Sequence, residues 1–112
     1  MKLNHLNLMV TDVGAAVAFL EKYFGLQRQD GDDKFTVMFD DNGLVLSLMK
    51  AGQAIRYPGS FHIGFIQENE DQVNTIHQQL TADGFEVEPP QQFHAWTFYI
   101  QAPGGFTVEI LA

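Results

Sequence analysis

An internal repeat organises this sequence. His5 lies 20 residues before Gly25 (25 − 5), and His62 lies 22 residues before Gly84 (84 − 62). Between the two residues of each pair runs a segment with apolar side chains at helical spacing. Because a repeated sequence pattern indicates repeated structural units, the chain is expected to fold as two similar modules.

The repeat also suggests where the modules begin and end. A chain of 112 residues is long enough for one domain with its own core. We predict a single domain over residues 1–112, with a first module at 1–55 and a second at 56–112. A connector that contains Gly and Pro, Gly52–Gly59, lies at their junction.

The first module is predicted to contain a strand, a helix and further strands. Residues 3–10 alternate as a strand does, Asp12 stands where the N-cap of the next helix belongs, and Gly25 marks the end of that helix. Asn42-Gly43 between two apolar runs is typical of a hairpin. The runs are Phe35–Phe39 and Leu44–Lys50, and one more strand is expected near Gln27–Asp30.

The second module repeats this order. A strand is predicted at Phe61–Ile66, followed by a helix that begins after Asn69 and ends at Gly84. Further strands are predicted at Phe85–Glu88, Trp96–Gln101 and Phe106–Leu111. Each module is thus βαββ or, with its extra strand, βαβββ. The predicted fold class is α+β, with two βαβββ modules forming a curled mixed sheet that carries its helices on the outer face.

Alternation along the strands separates an apolar face from a polar face. Four strands each present three bulky apolar side chains to one side, which we expect to pack under the helices. The other side is the candidate site, and Thr36 and Met38 are candidates to join it. Its predicted members are His5, Asn7, Ser47, His62, Gly64, Thr97, Tyr99, Gln101, Thr107 and Glu109.

Three residues of the polar face form a candidate metal site. His5 and His62 occupy equivalent places in the two modules, and Glu109 occupies the place of Ser47. The chain has no cysteine, so any metal must be held by nitrogen and oxygen ligands. Two histidines and one carboxylate with open positions suit one divalent ion such as Fe, Mn, Ni or Zn. The alternative is that both histidines are structural and the glutamate is solvated.

The two remaining histidines have different settings. His94 follows Pro89-Pro90 in a predicted loop, where it is either a proton shuttle of the candidate site or an ordinary surface histidine. His77 lies beside the apolar stripe of the second predicted helix, and we interpret it as a residue of the helix flank.

Composition excludes several classes of partner. The chain carries 14 acidic and 6 basic residues, a net charge of −8, which disfavours nucleic acid and anionic membranes. No run approaches the roughly 20 apolar residues that a membrane-spanning helix needs, and the first residues lack the apolar segment of a signal peptide. A cytoplasmic protein without a membrane partner is therefore expected.

Four motifs carry a resemblance to a known family. They are residues 4–12 (NHLNLMVTD), Ala18-Phe19 with Phe24-Gly25-Leu26, Phe61-His62-Ile63-Gly64, and residues 102–109 (APGGFTVE). Together they resemble the glyoxalase / bleomycin-resistance / extradiol-dioxygenase superfamily, also called vicinal oxygen chelate proteins. The resemblance spans essentially the whole chain. It implies paired βαβββ modules around a metal, a homodimer, and chelation of vicinal oxygens of a small-molecule substrate.

Transferred residue by residue, the resemblance implies metal ligation by His5, His62 and Glu109. Ser47 stands where glyoxalase I has a fourth ligand, which argues against isomerisation of a glutathione hemithioacetal. The three-ligand pattern is closer to extradiol dioxygenases and to fosfomycin-resistance thiol transferases. The latter resemble the chain at Tyr99 but have threonine where this chain has Asn7.

Three functional hypotheses follow. The first is a metal-dependent enzyme in which Asn7, Ser47, Thr97 and Tyr99 orient the substrate, and Tyr99 and His94 are the candidate catalytic side chains. The second is a metal-free protein that binds and sequesters a small molecule, as bleomycin-resistance relatives do, with the histidines in ordinary hydrogen bonds. The third is a scaffold, which requires that side chains fill the site.

Overall fold

The computed structural model describes the whole chain, Met1–Ala112, in which the order strand, helix, three strands occurs twice. The first set is β1 (His5–Val10), α1 (Val13–Phe24), β2 (Gln27–Gly31), β3 (Phe35–Phe39) and β4 (Val45–Lys50). The second set is β5 (Ile63–Ile66), α2 (Glu70–Ala82), β6 (Gln91–Gln92), β7 (Trp96–Ala102) and β8 (Phe106–Leu111).

The residues form two compact units. Unit 1 consists of Met1–Tyr57 with Ala102–Phe106, and unit 2 of Pro58–Gln101 with Thr107–Ala112. Each of the two sheets is four-stranded and mixed, which confirms the α+β class and the paired βαβββ modules. The grouping of all 112 residues into a single domain stays a prediction.

The sheet of unit 1 has the strand order β1-β4-β3-β2, with β1 parallel to β4 and the other pairs antiparallel. Helix α1 begins as predicted, because the Asp12 carboxylate accepts a hydrogen bond of 3.0 Å from the backbone N–H of Ala15. It ends at Gly25, whose left-handed φ of 68° lets the chain turn away. The helix buries Val13, Ala16, Val17, Phe19 and Leu20.

The second sheet repeats this plan with the order β5-β8-β7-β6 and a parallel β5–β8 pair. Helix α2 starts at the predicted cap, because the Asn69 side chain accepts a 3.0 Å hydrogen bond from the Gln72 N–H. The core of unit 2 includes three residues of α2 and four of β7 and β8. They are Val73, Ile76, Leu80, Phe98, Ile100, Val108 and Ile110.

Two strand predictions in the second module need correction. Phe85–Glu88 is not a strand, and the edge strand beside β7 is the two-residue β6 instead. Pro89 and Pro90 have no backbone N–H to donate to a ladder, so pairing begins after them. Strand β5 begins at Ile63 rather than Phe61, because the Phe61 N–H bonds to the Pro58 carbonyl in a turn. His62 therefore precedes the strand.

A third correction concerns the faces of the first sheet. Thr36 and Met38 are buried, with 2% and 0% of their surface exposed, and do not join the polar face. They lie opposite Leu48 and Leu46 in the β3–β4 register, and directly opposed residues share a face. Val37, which lies opposite Ser47, takes the place expected for them.

The helices of the structure are short. Helices α1 and α2 contain 12 and 13 residues, and no helix combines the length and apolarity needed to cross a membrane.

Candidate metal-binding site

Glu109 is the centre of the polar cluster in unit 2. It is a carboxylate on β8 with only 5% of its surface exposed. In the parallel register it lies opposite Gly64, which has no side chain to cover it. A Cβ atom at Gly64 would lie 3.9 Å from Glu109 Oε1, an ordinary contact distance. The glycine therefore places no side chain against the carboxylate.

Four side chains surround this carboxylate. His62 Nε2 lies 3.2 Å from Oε1, whereas His94 Nε2 and Thr97 Oγ1 each lie 2.7 Å from Oε2. The Tyr99 hydroxyl also hydrogen-bonds to Glu109, and its ring meets the His62 ring edge-on at a centroid distance of 5.4 Å. Five of the residues predicted for the site thus lie together: three on β7 and β8, one just before β5 and one in the loop before β7.

Hydrogen bonds set the charge of the cluster. Burial by itself raises the pKa of Glu109, but hydrogen bonds from Thr97, His94 and Tyr99 outweigh it and bring the pKa below its ordinary value. Burial raises the pKa of Tyr99, and the bond to the Glu109 carboxylate raises it further. At neutral pH the cluster therefore holds a carboxylate beside a neutral phenol.

His62 presents a lone pair to this carboxylate. Its Nδ1 lies 2.9 Å from the Ser60 carbonyl oxygen, which only accepts, so Nδ1 carries a hydrogen. In the neutral imidazole Nε2 is then a bare acceptor, and it faces another acceptor, Glu109 Oε1. A proton or a cation between the two atoms resolves this opposition.

The His62–Glu109 geometry fits a metal ion. Two ligand atoms that each lie about 2.1 Å from an ion are roughly 3.0 to 3.4 Å apart when the ligand–ion–ligand angle is between 90° and 109°. The observed 3.2 Å lies in that range. A backbone carbonyl on the second imidazole nitrogen is also the usual way in which a ligating histidine is oriented.

His94 reaches Glu109 from a tight turn. The Phe93 N–H donates to the Ala95 carbonyl at 2.9 Å, so the loop between β6 and β7 closes within three residues. The His94 side chain is 57% exposed, but its Nε2 contacts the buried Oε2. Because Oε2 accepts, this nitrogen carries a hydrogen, in contrast to the bare Nε2 of neutral His62.

Unit 1 contains three further predicted residues, His5, Asn7 and Ser47. Asn7 lies opposite Ser47 in the parallel register, and the Ser47 hydroxyl donates to Asn7 Oδ1 at 2.7 Å. His5 is exposed at the start of β1, with Nδ1 2.7 Å from Asn4 Oδ1. As in His62, this bond leaves Nε2 as the available nitrogen. Sequence reasoning missed Asn4 and Ser60, although each lies within two residues of its histidine.

The structure brings His62, His94 and Glu109 into contact, but their atoms bond to one another. No group of three or more His, Cys, Asp or Glu side chains is arranged as a metal site. The ligand set of His5, His62 and Glu109 therefore stays a prediction, to which the structure adds a two-residue pair of suitable geometry. The remaining histidine, His77, packs edge-on against Phe98, and its buried Nε2 has no hydrogen-bond partner.

A groove lies next to the cluster. Its volume is about 520 Å³, within the range usual for small-molecule sites. Tyr99 belongs both to this groove and to the Glu109 cluster. The lining residues are Glu86, Val87, Glu88, Tyr99, Ile100 and Gln101.

Comparisons with known proteins agree with this architecture. A possible glyoxalase from Bacillus cereus is 52% identical, with a TM-score of 0.96 over 100% of this chain and 99% of that one. Lactoylglutathione lyase from Agrobacterium tumefaciens is 21% identical, with a TM-score of 0.78 over 98% of this chain and 92% of that one. No curated protein matches the chain.

A third similar structure contains a metal. It is a mutant of the fosfomycin resistance protein FosX from Listeria monocytogenes, complexed with Mn(II) and 1S,2S-dihydroxypropylphosphonic acid. It is 23% identical, with a TM-score of 0.82 over 99% of this chain and 91% of that one. The family model described as Glyoxalase/Bleomycin resistance protein/Dioxygenase superfamily matches residues 2–110. The chain belongs to this superfamily.

Proposed function

We propose that the chain is a metal-dependent enzyme of the glyoxalase/dioxygenase type that acts on a small oxygen-rich molecule by bidentate chelation. One divalent ion, Fe, Mn, Ni or Zn, is held by His62 and Glu109 of unit 2 and by His5, the further ligand predicted from the sequence. The Mn(II) bound by FosX and the lactoylglutathione lyase among the structural relatives support this proposal.

The observation that supports the proposal most directly is that two hydrogen-bond acceptors, His62 Nε2 and Glu109 Oε1, face each other. His62 Nε2 lies 3.2 Å from Glu109 Oε1, while its other nitrogen is bound to the Ser60 carbonyl, so the neutral form of the imidazole directs a lone pair at the carboxylate. An arrangement of two bare acceptors is unfavourable unless a positive charge lies between them. A proton on His62 or a divalent cation supplies that charge, and the cation uses both atoms as ligands.

When bound, the ion acts as a Lewis acid toward substrate oxygens. The chain's own residues then have distinct tasks. Asn7 and Ser47 offer amide and hydroxyl groups that orient the substrate, and Thr97 acts through the carboxylate that it holds. Tyr99 keeps its phenolic proton, because its pKa is raised, and can donate it to a developing oxyanion in place of Glu109. The groove beside Tyr99 receives the rest of the molecule.

The test is metal content followed by activity. Protein purified without chelator, and then offered Fe, Mn, Ni or Zn, is expected to hold about one ion per chain. His62→Ala and Glu109→Gln should lose the ion, whereas Glu68→Gln, an exposed acid of the same unit, should retain it. Loaded protein is then assayed on catechol, on fosfomycin with a thiol, and on the hemithioacetal of glutathione. A wild-type chain that takes up none of the four metals contradicts the proposal.

A metal-free binding protein is the second candidate. It is favoured by the absence of a preformed three-ligand group and by the hydrogen bonds that already occupy Glu109 Oε2. The double variant His5→Ala with His62→Ala separates the two functions. If an aromatic ligand binds this variant as tightly as wild type, sequestration is the function; loss of metal and turnover together supports the enzyme.

A homodimer in the cytoplasm completes the proposal. Strands β1 and β5 are edge strands of their sheets, and such edges are commonly covered by a partner. Sedimentation equilibrium of the purified chain tests the dimer.

A further inference from the structure

We infer that His94 is a positioning residue for the metal-binding carboxylate: its Nε2–H fixes Oε2 of Glu109 so that Oε1 is directed to the ion beside His62. The inference rests on the proposed function, because it concerns how Glu109 would hold the metal. It assigns to His94 a role different from the proton shuttle predicted from the sequence.

The two histidines at Glu109 are chemically unlike. His62 is bonded to a carbonyl through Nδ1 and, in its neutral form, offers a lone pair at Nε2. His94 directs Nε2 at Oε2 over 2.7 Å, a separation typical of a charge-assisted hydrogen bond. Since a carboxylate oxygen has no hydrogen to give, His94 is the donor in this bond. Glu109 Oε1 therefore faces His62, a proposed metal ligand, and Oε2 faces His94, a hydrogen-bond donor.

Thr97 alone does not fix Oε2. Its single hydroxyl hydrogen lies between two acceptors, Glu109 Oε2 at 2.7 Å and the Ile110 carbonyl at 3.0 Å. His94 donates a second hydrogen bond to the same oxygen, from a hydrogen that is directed at this acceptor. Together the two bonds prevent rotation of the carboxylate about its final side-chain bond, and a rotation of that kind would exchange Oε1 and Oε2.

Hydrogen-bond partners of a metal-ligating carboxylate raise its metal affinity, because they hold the carboxylate in place. Without them the carboxylate loses rotational freedom when the metal binds. Removing one such partner typically costs about 10- to 100-fold in affinity. His94→Ala should therefore weaken Co(II) binding by roughly that factor. His94→Gln places an amide N–H at a similar reach and should restore most of the affinity.

The experiment is a Co(II) titration followed by visible absorption, with wild type, His94→Ala, His94→Gln and Phe93→Ala. Phe93 is in the same turn, its surface is 64% exposed, and its removal tests whether any damage to the turn has the same effect. The inference predicts loss only in His94→Ala, with an altered Co(II) spectrum and rescue by glutamine. Equal weakening in Phe93→Ala, or no rescue, would mean a merely structural role and overturns it.

A second measurement needs no metal. Two-dimensional ¹H–¹⁵N spectra of the side chains report which imidazole nitrogen carries a hydrogen. The inference predicts a hydrogen on Nε2 of His94, and a bare Nε2 there overturns it. If wild type and His94→Ala bind Co(II) equally, the inference fails while the proposed function stands; if wild type binds no Co(II), Fe, Mn, Ni or Zn, both fail.

Discussion

The two units share one strand order but differ in what they place at equivalent positions. In unit 1, Ser47 on β4 forms a neutral hydroxyl–amide pair with Asn7. In unit 2, the equivalent position on β8 is Glu109, a buried carboxylate bonded to Thr97, His94 and Tyr99 and facing His62. The same backbone plan thus supports a neutral polar pair in one copy and an ionised cluster in the other, so function depends on side chains placed on the fold.

Charge is divided just as unevenly. All six Lys and Arg residues of the chain lie in unit 1, together with seven of the fourteen acids. Unit 2 holds the other seven acids and no Lys or Arg, which gives it a net charge of −7 against −1 for unit 1. A strongly negative unit attracts cations. The unit with the candidate ligand pair is therefore also the one whose overall charge favours a divalent ion.

The largest expected effect comes from exchanging the equivalent side chains. Glu109→Ser should abolish metal binding, a loss of more than about 100-fold, because an anionic ligand is replaced by a weak neutral one. Ser47→Ala should change metal affinity by less than about threefold, since its hydroxyl is bonded within unit 1. Isothermal titration with Mn(II) or Co(II) measures both. Comparable losses in the two variants would contradict the division of roles between the units.

The second prediction compares glycines in the equivalent turns before β4 and β8. Gly43, Gly104 and Gly105 have φ of 80°, 104° and 92°. A Cβ atom at Gly104 would also lie 3.2 Å from the Val10 Cβ and 3.3 Å from the Ala16 Cβ, whereas the other two have open space. Gly104→Ala should therefore cost about 3 kcal/mol of unfolding free energy, from strain and overpacking, and Gly43→Ala or Gly105→Ala about 1 kcal/mol.

Urea unfolding of the three variants checks this order. Val10 and Ala16 belong to β1 and α1, so the extra cost at Gly104 is a packing effect within unit 1. If Gly104→Ala and Gly105→Ala are equally destabilised, backbone strain alone accounts for the loss of stability. The short distances from a Cβ at Gly104 to Val10 and Ala16 then have no energetic consequence.

The third prediction tests whether the two helices are capped alike. Asp12 and Asn69 each accept a 3.0 Å bond from the N–H three residues later. Asp12→Ala and Asn69→Ala should each lower the unfolding free energy by about 1 kcal/mol. Asp12→Asn should be nearly neutral, because asparagine offers the same acceptor. If only one of the two alanine variants loses unfolding free energy, the two caps are equivalent in geometry but not in energy.

The sequence predicted local features well and long-range contacts poorly. The caps at Asp12 and Asn69 were predictable because each cap side chain and the backbone N–H that donates to it lie within one turn of helix. Thr36 and Met38 were assigned to the wrong face, because the face of β3 depends on its register with β4 and not on its own pattern.

The cluster around Glu109 was predictable in part. Strand parity placed Thr97, Tyr99 and Glu109 on one face, and the repeat pointed to His62. The His94–Glu109 bond joins residues 15 apart through the tight turn between β6 and β7, which no periodicity encodes. The sequence also does not show which nitrogen of His62 is available to a metal. The Ser60 carbonyl, which bonds to the other nitrogen, is a backbone group.

The smallest expected effect is on acid stability, and it involves one carboxylate in each unit. Backbone N–H bonds from Lys34 and Phe35 lower the pKa of Asp32 in unit 1, and side-chain hydrogen bonds, against the opposing effect of burial, lower that of Glu109 in unit 2. A carboxyl with a lowered folded-state pKa stabilises the fold fully above its unfolded pKa. That stability is lost as the pH falls through the lower folded value.

Unfolding free energies of the metal-free chain should therefore fall with pH below the ordinary carboxyl range, and Asp32→Asn and Glu109→Gln should each make that fall shallower. Thr97→Val removes a bond that lowers the Glu109 pKa, so the ¹³C titration of that carboxyl should move upward, whereas Asp32 should titrate as before. Urea unfolding across the acid range gives the slopes. If Glu109→Gln leaves the slope unchanged while Asp32→Asn flattens it, burial offsets the hydrogen bonds around Glu109 completely, and the ionised cluster of unit 2 adds nothing to folding before a metal binds.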